Sequence, residues 1–146
     1  MNINKDGKNM PTRHEIRETA FILCFEELFW NGDIDELFDI AKSFSGLPVN
    51  DDVKSLVKGV LEKKDELDAI IAKYSDKRSV DRIPKLNLAI LRIAIYESLY
   101  CDRVPVNVAI SEAVTLARAY SYDTDVSFIN GVLGSFSRDP EVIKND

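Results

Sequence analysis

The hydrophobic pattern is densest between Leu86 and Cys101. In LNLAILRIAIYESLYC, Leu86, Leu88, Ala89, Ile90, Leu91, Ile93, Ala94, Ile95, Tyr96, Leu99 and Tyr100 leave almost no polar face. A helix that is apolar nearly all round must be covered on nearly all sides. At about 1.5 Å per residue it is roughly 24 Å long. It carries Arg92 and Glu97 and falls short of the roughly 20 apolar residues a membrane span needs. The pattern predicts a buried central helix coated by other helices, and no membrane association.

The flanking segments supply the coat. Thr12-Arg13-His14-Glu15 has the spacing of a capping box. Ile16, Ala20, Leu23, Cys24 and Leu28 follow at helical spacing, with Phe21 and Phe25 as a second stripe. This predicts a first helix to about Trp30, broken at Asn31-Gly32. Asp33-Ile34-Asp35-Glu36 starts a short amphipathic helix that Gly46-Leu47-Pro48 closes. Asn50 or Asp51 caps a long third helix that carries Val53, Leu56, Val57, Val60, Leu61, Leu67, Ile71 and Tyr74. The Lys, Glu and Asp on its other side read as a solvated face.

Residues 75–85 are a basic connector. Pro84 cannot continue a helix and biases Ile83 away from the helical region. Beyond the central helix, Asp102-Arg103-Val104-Pro105 turns the chain into a fifth helix to about Tyr120. A last helix runs from about Asp125 to Ser137. Asn130-Gly131 alone reads as a tight turn, but the apolar stripe continues in register from Ile129 to Val132. The helix is therefore expected to run through, with Gly131 letting another helix backbone approach.

No stretch alternates with period two for long enough to form a strand. The expected class is all-α, with two three-helix bundles packed around a shared apolar central helix. One helical domain is expected over 12–138, with subdomains of about 12–74 and 75–138. A disordered polar tail, 1–11, precedes it and a short tail, 139–146, follows.

A chain of 146 residues suffices for one domain with a real core. The net charge of −6 argues against indiscriminate nucleic-acid binding. Charge is uneven, however. Lys73, Lys77, Arg78, Arg82, Lys85 and Arg92 cluster against Asp76 and Asp81, so a local contact with RNA is compatible with overall acidity. Cys24 and Cys101 both lie in apolar helical context and read as buried thiols rather than a disulfide, which suits a reducing cytosol. The polar N-terminus MNINKDGKNM has no apolar signal core, and a cytoplasmic location is expected.

Catalytic chemistry has no foothold here. The single histidine excludes a His-based metal cluster, and there is no CxxC, Gly-rich phosphate loop, GxSxG or HExxH. No catalytic residue, metal or cofactor is expected. Arg92, within the apolar helix, needs a carboxylate or several carbonyls and reads first as a structural ion pair between helices. Arg13 and His14 place cationic groups at a helix N-terminus, against the dipole. That hints at an anionic partner, or marks an exposed polar turn. Phe25 and Phe128 sit at the edges of their stripes. They read either as rim packing or as platforms on which unpaired bases stack.

Four motifs in order carry a family resemblance. They are Ile90-Leu91-Arg92-Ile93-Ala94-Ile95-Tyr96-Glu97, Val104-Pro105, Val108-Ala109-Ile110-Ser111-Glu112-Ala113-Val114 and Phe128-Ile129-Asn130-Gly131-Val132-Leu133. With Arg17-Glu18 and Ala20 in the first helix, the chain resembles the NusB family of bacterial transcription antitermination factors over roughly residues 12 to 137. The resemblance implies two three-helix bundles and binding of boxA-type single-stranded RNA from ribosomal RNA leaders. It also implies a protein partner, the ribosomal protein NusE, and entry into the RNA polymerase antitermination complex. Carried over by position, the RNA-binding residues are Arg13, His14, Arg17 and Phe25, with Glu97, Thr124 and Phe128 on the same side. NusB-like domains also occur fused to RNA methyltransferases, but this chain ends soon after its last helix, and no catalytic domain is expected.

The chain departs from the family pattern in places. Glu15 interrupts the arginine run, Arg78 stands for the connector tryptophan, Asn87-Leu88 for an Asp-Arg pair, and Ser111 for an asparagine. Fewer cations release fewer counterions. A second reading is therefore a helical protein-interaction module, a NusE binder or a homodimer through apolar helix faces, with weak or lost RNA binding. The basic connector compensates only if it lies near the RNA face.

Overall fold

The computed structural model describes residues 10–76, 78–139 and 141. Most of the expected N-terminal tail, the C-terminal residues after Glu141, and Lys77 of the connector lie outside the described residues. Among those described, seven α-helices and one 3-10 turn form, and there is no strand, so the all-α expectation holds. By packing, the chain divides after Val57 into two compact units.

In the first unit, α1 (Arg13–Glu27) begins at the expected capping box. The Glu15 N–H donates to the Thr12 hydroxyl at 3.1 Å, and the Thr12 N–H donates to the Glu15 carboxylate at 3.0 Å. Each half satisfies a backbone group that the helix end would otherwise orphan. The helix stops at Glu27 rather than near Trp30. Past its end the Trp30 indole N–H donates to the Asp33 carbonyl at 2.9 Å, folding the chain back towards α2 (Ile34–Ser43). Asp33 caps α2 by accepting from the Asp35 N–H. The helix ends through Gly46, whose φ of 67° suits glycine. Asn50, of the two expected candidates, caps α3 (Asp51–Glu62) through the Val53 N–H at 2.9 Å, and the division after Val57 falls within this helix. Phe21, Leu23, Phe38 and Val53 are among the fully buried side chains here, and α1 packs on α2.

The expected long third helix is two helices. Lys63 leaves helical geometry, with φ −97° and ψ 11°, and α4 (Lys64–Tyr74) follows. The apolar stripe keeps its register from Val60 to Leu67, which is why the pattern reads as continuous. The bend falls where Glu62 to Glu66 supply no apolar side chain to hold the axis straight.

In the second unit, α5 (Lys85–Tyr100) is the central helix, with every residue from Asn87 to Ile95 buried. Three helices pack against it: α4, α6 (Val106–Tyr120) and α7 (Asp123–Ser137). The sequence grouping put α4 with the first half, whereas its contacts are with α5 and α7. Arg92 explains part of this. Its Nε and Nη2 donate to the two carboxylate oxygens of Asp68 on α4 at 2.7 and 2.8 Å, the structural pair that the sequence called for.

Asn87, nearly inaccessible, donates to Asp125 at 2.9 Å and accepts from the Ser121 hydroxyl at 3.1 Å. It thus clips the start of α5 to the α6–α7 turn. Gly131 corrects an expectation. The helix does run through Asn130-Gly131, but Gly131 is exposed and a Cβ there would meet nothing within 4 Å. The close approach is at Gly59, where a Cβ would collide with the Tyr96 ring and hydroxyl. Of the two thiols, Cys24 is buried as expected and Cys101 only half-buried.

Candidate nucleic-acid interface

The first unit presents the start of α1. Arg13 and His14 are exposed in its first turn. Glu15, the acid that dilutes their charge, is folded back onto the cap. Bonds from the Thr12 backbone N–H, and then its hydroxyl, hold its carboxyl below the ordinary carboxylate range. The negative charge therefore complements the helix dipole, and Arg13 and His14 are what a ligand meets.

Arg17 does not join them. Its side chain is buried, 5 % exposed, one turn further in. It falls at i−3, i−4 and i−7 from Ala20, Phe21 and Cys24, all buried, and so shares their face. That register was visible in the sequence; the residue's charge drew it into the expected RNA set. Phe25 is half-buried and makes an edge-to-face contact with Phe29, with centroids 5.4 Å apart. Phe29, 62 % exposed, is an aromatic that the sequence reading passed over. The i, i+4 spacing of two phenylalanines was its signal.

The second unit carries the remaining expected positions. Glu97 is 5 % exposed, so its carboxylate belongs to the packed interior and not to a surface that RNA could reach. One turn back on the same face, Ile93 and Ala94 are buried as well. Thr124 is exposed in the first turn of α7, and Phe128, one turn on, is half-exposed. The side chain over Phe128 comes from the basic connector: the Arg78 guanidinium carbon lies 4.5 Å from the ring centroid. The connector thus reaches this α7 face, which the sequence left undecided. Arg82, closing the 3-10 turn Val80–Arg82, and Lys85, opening α5, are both exposed further along it.

Chemically, the second unit sets an exposed cation beside a half-exposed aromatic, Arg78 over Phe128, whereas in the first unit Arg13 and His14 open α1 and Phe25 lies near its far end. A cation beside an aromatic suits an unpaired strand, whose phosphates want cations and whose bases want π-faces. Among the described residues no group of His, Cys, Asp and Glu could hold a metal ion, and no helix is long and apolar enough to cross a membrane.

Known proteins resemble this chain over most of its length. Residues 14–138 match the sequence model of the NusB family. The transcription antitermination protein NusB of Lactiplantibacillus plantarum is 43% identical over 140 residues, covering 92% of this chain and 96% of its own. The protein of the same name from Ruminiclostridium cellulolyticum is 39% identical over 128 residues, 86% of this chain and 88% of its own. Among solved structures, a chain from the complex of antitermination factors NusB and NusE with dsRNA superimposes with a TM-score of 0.73. It is 25% identical and covers 84% of this chain and 93% of its own.

Proposed function

The chain belongs to the NusB family, and from that premise we propose that it is a transcription antitermination adaptor. It binds boxA-type single-stranded RNA of ribosomal leader transcripts together with NusE, joins the RNA polymerase antitermination complex in the cytoplasm, and catalyses nothing. The observation that carries this is the family match across nearly the whole helical region, which includes a relative solved together with NusE and RNA. The local geometry supports it. Arg13 and His14 are exposed at the start of α1, and Thr124 and Phe128 are accessible on one face of α7. Arg17 and Glu97, being buried, are assigned to positioning rather than to contact.

The test is titration of labelled boxA-type RNA with the full chain, with and without NusE. RNA binding should be strengthened by NusE and weakened by Arg13→Ala. With two or three phosphate contacts, log affinity should fall with log salt at a slope of about −1.5 to −2. No RNA binding under either condition would refute the reading.

A second reading, a NusE-binding module with little RNA affinity, draws on the buried Arg17 and the net charge of −6. It requires tight NusE binding with no RNA shift in the same titration.

A further inference from the structure

Arg78 is held by its backbone, which leaves its side chain for other use. Its N–H donates to the Ser75 carbonyl at 3.2 Å, and its carbonyl accepts from the buried Ser75 hydroxyl at 2.7 Å. Asp76, between them, has a φ of 52°, the left-handed conformation that few non-glycine residues adopt. This turn brings the chain back after α4 and sets the guanidinium over Phe128. Among the described residues no carboxylate pairs with it. Arg78 is exposed while the ring beneath is half-covered, so the guanidinium lies between the ring and solvent.

We propose that this stack seats one unpaired nucleobase, which lies on the outer face of the Arg78 guanidinium and completes a base–guanidinium–ring sandwich. The assignment rests on the RNA-binding reading and adds to it a residue that stands where the family pattern has a tryptophan. Splayed bases stack on aromatic rings and on guanidinium planes alike, so the replacement keeps a flat platform and adds a charge. The phenylalanine beneath restrains the guanidinium while leaving its N–H edge free to meet a phosphate. Exposed Arg82 and Lys85 continue the cationic track along the connector. Because every base has a π-face, this seat tolerates any nucleotide.

The experiment compares the full-length wild type with Arg78→Lys, Arg78→Ala and Arg103→Ala in fluorescence anisotropy with boxA-type RNA and NusE. Arg103 is exposed beyond the other end of α5 and serves as the control. Arg78→Lys retains charge and loses the plane. It should weaken binding about tenfold or more with an unchanged thermal melt, while Arg103→Ala binds as wild type. A series of RNAs with a single abasic site should contain one position at which the difference between wild type and Arg78→Lys disappears.

Normal binding by Arg78→Lys would overturn the stack, leaving at most a point charge if Arg78→Ala is weakened. A difference that survives at every abasic position would overturn the base contact. Weakened NusE binding without any change for RNA would make Arg78 a protein contact and overturn the proposal. Wild-type RNA binding that neither Arg78 variant disturbs sinks this proposal alone, whereas a wild type that binds no RNA sinks the RNA-binding reading with it.

Discussion

Arg92 stands in a helix with no polar face, and Asp68 is what makes that tolerable. The guanidinium is 7% exposed and its partner 23%, and both carboxylate oxygens are engaged. Removing the carboxylate leaves a buried charge without compensation, which costs far more than the pair contributes. Asp68→Ala should therefore lose about 3 kcal/mol in urea denaturation, and Arg92→Met should lose less, because it removes the charge itself. Need for a partner was legible from the sequence; its identity was not, since Asp68 sat in a run of charges that reads as a solvated face. Arg17 is the opposite case. Its register among buried neighbours was legible, and its charge hid it.

Among elements, α3 shows what periodicity omits. The stripe from Val53 to Tyr74 predicted one helix, and apolar spacing survives the bend at Lys63 unchanged, so only the uninterrupted charges of residues 62–66 marked the weak point. Gly59 lies just before that bend, in a helix where glycine ordinarily costs stability. Here Tyr96 occupies the space of its missing side chain. Gly59→Ala should thus destabilise by about 1–3 kcal/mol through overpacking, against the gain expected from helix propensity, as a thermal or urea melt will show. Gly131, which the pattern nominated for close approach, lies open. A glycine in an apolar stripe does not reveal whether a neighbour arrives to use it. The termini fared better, because capping side chains at Thr12, Asp33 and Asn50 act locally. Connectors fared worst: nothing local tells that Ser75 and Asp76 fold Arg78 onto α7.

At the scale of the molecule, one acid-sensitive tie lies just past the end of α7. Asp139 accepts from the Tyr74 hydroxyl, from the Glu141 N–H and from the Lys73 ammonium, which together hold its carboxyl down to about 2 from an ordinary 3.8. A carboxyl held down in the folded state stabilises fully above its unfolded value, and that contribution is lost as pH falls through the folded one. Melting temperature should therefore drop between about pH 4 and pH 2. Asp139→Asn should melt lower than wild type near neutrality, with the gap closing across that interval. Equal gaps at both ends would show that the tie contributes through shape rather than charge.

The aromatic residues also divide the chain for optical purposes. Its lone tryptophan, Trp30, lies in the first compact unit with its indole tied to Asp33, whereas Tyr74, Tyr96, Tyr100, Tyr120 and Tyr122 all belong to the second. Indole emission then reports the first unit alone, and the phenol absorbance left once the single indole's share is subtracted reports the second, with no label needed. Coincident midpoints from both signals mean that the halves melt as one cooperative body; separated midpoints mean that each melts on its own account.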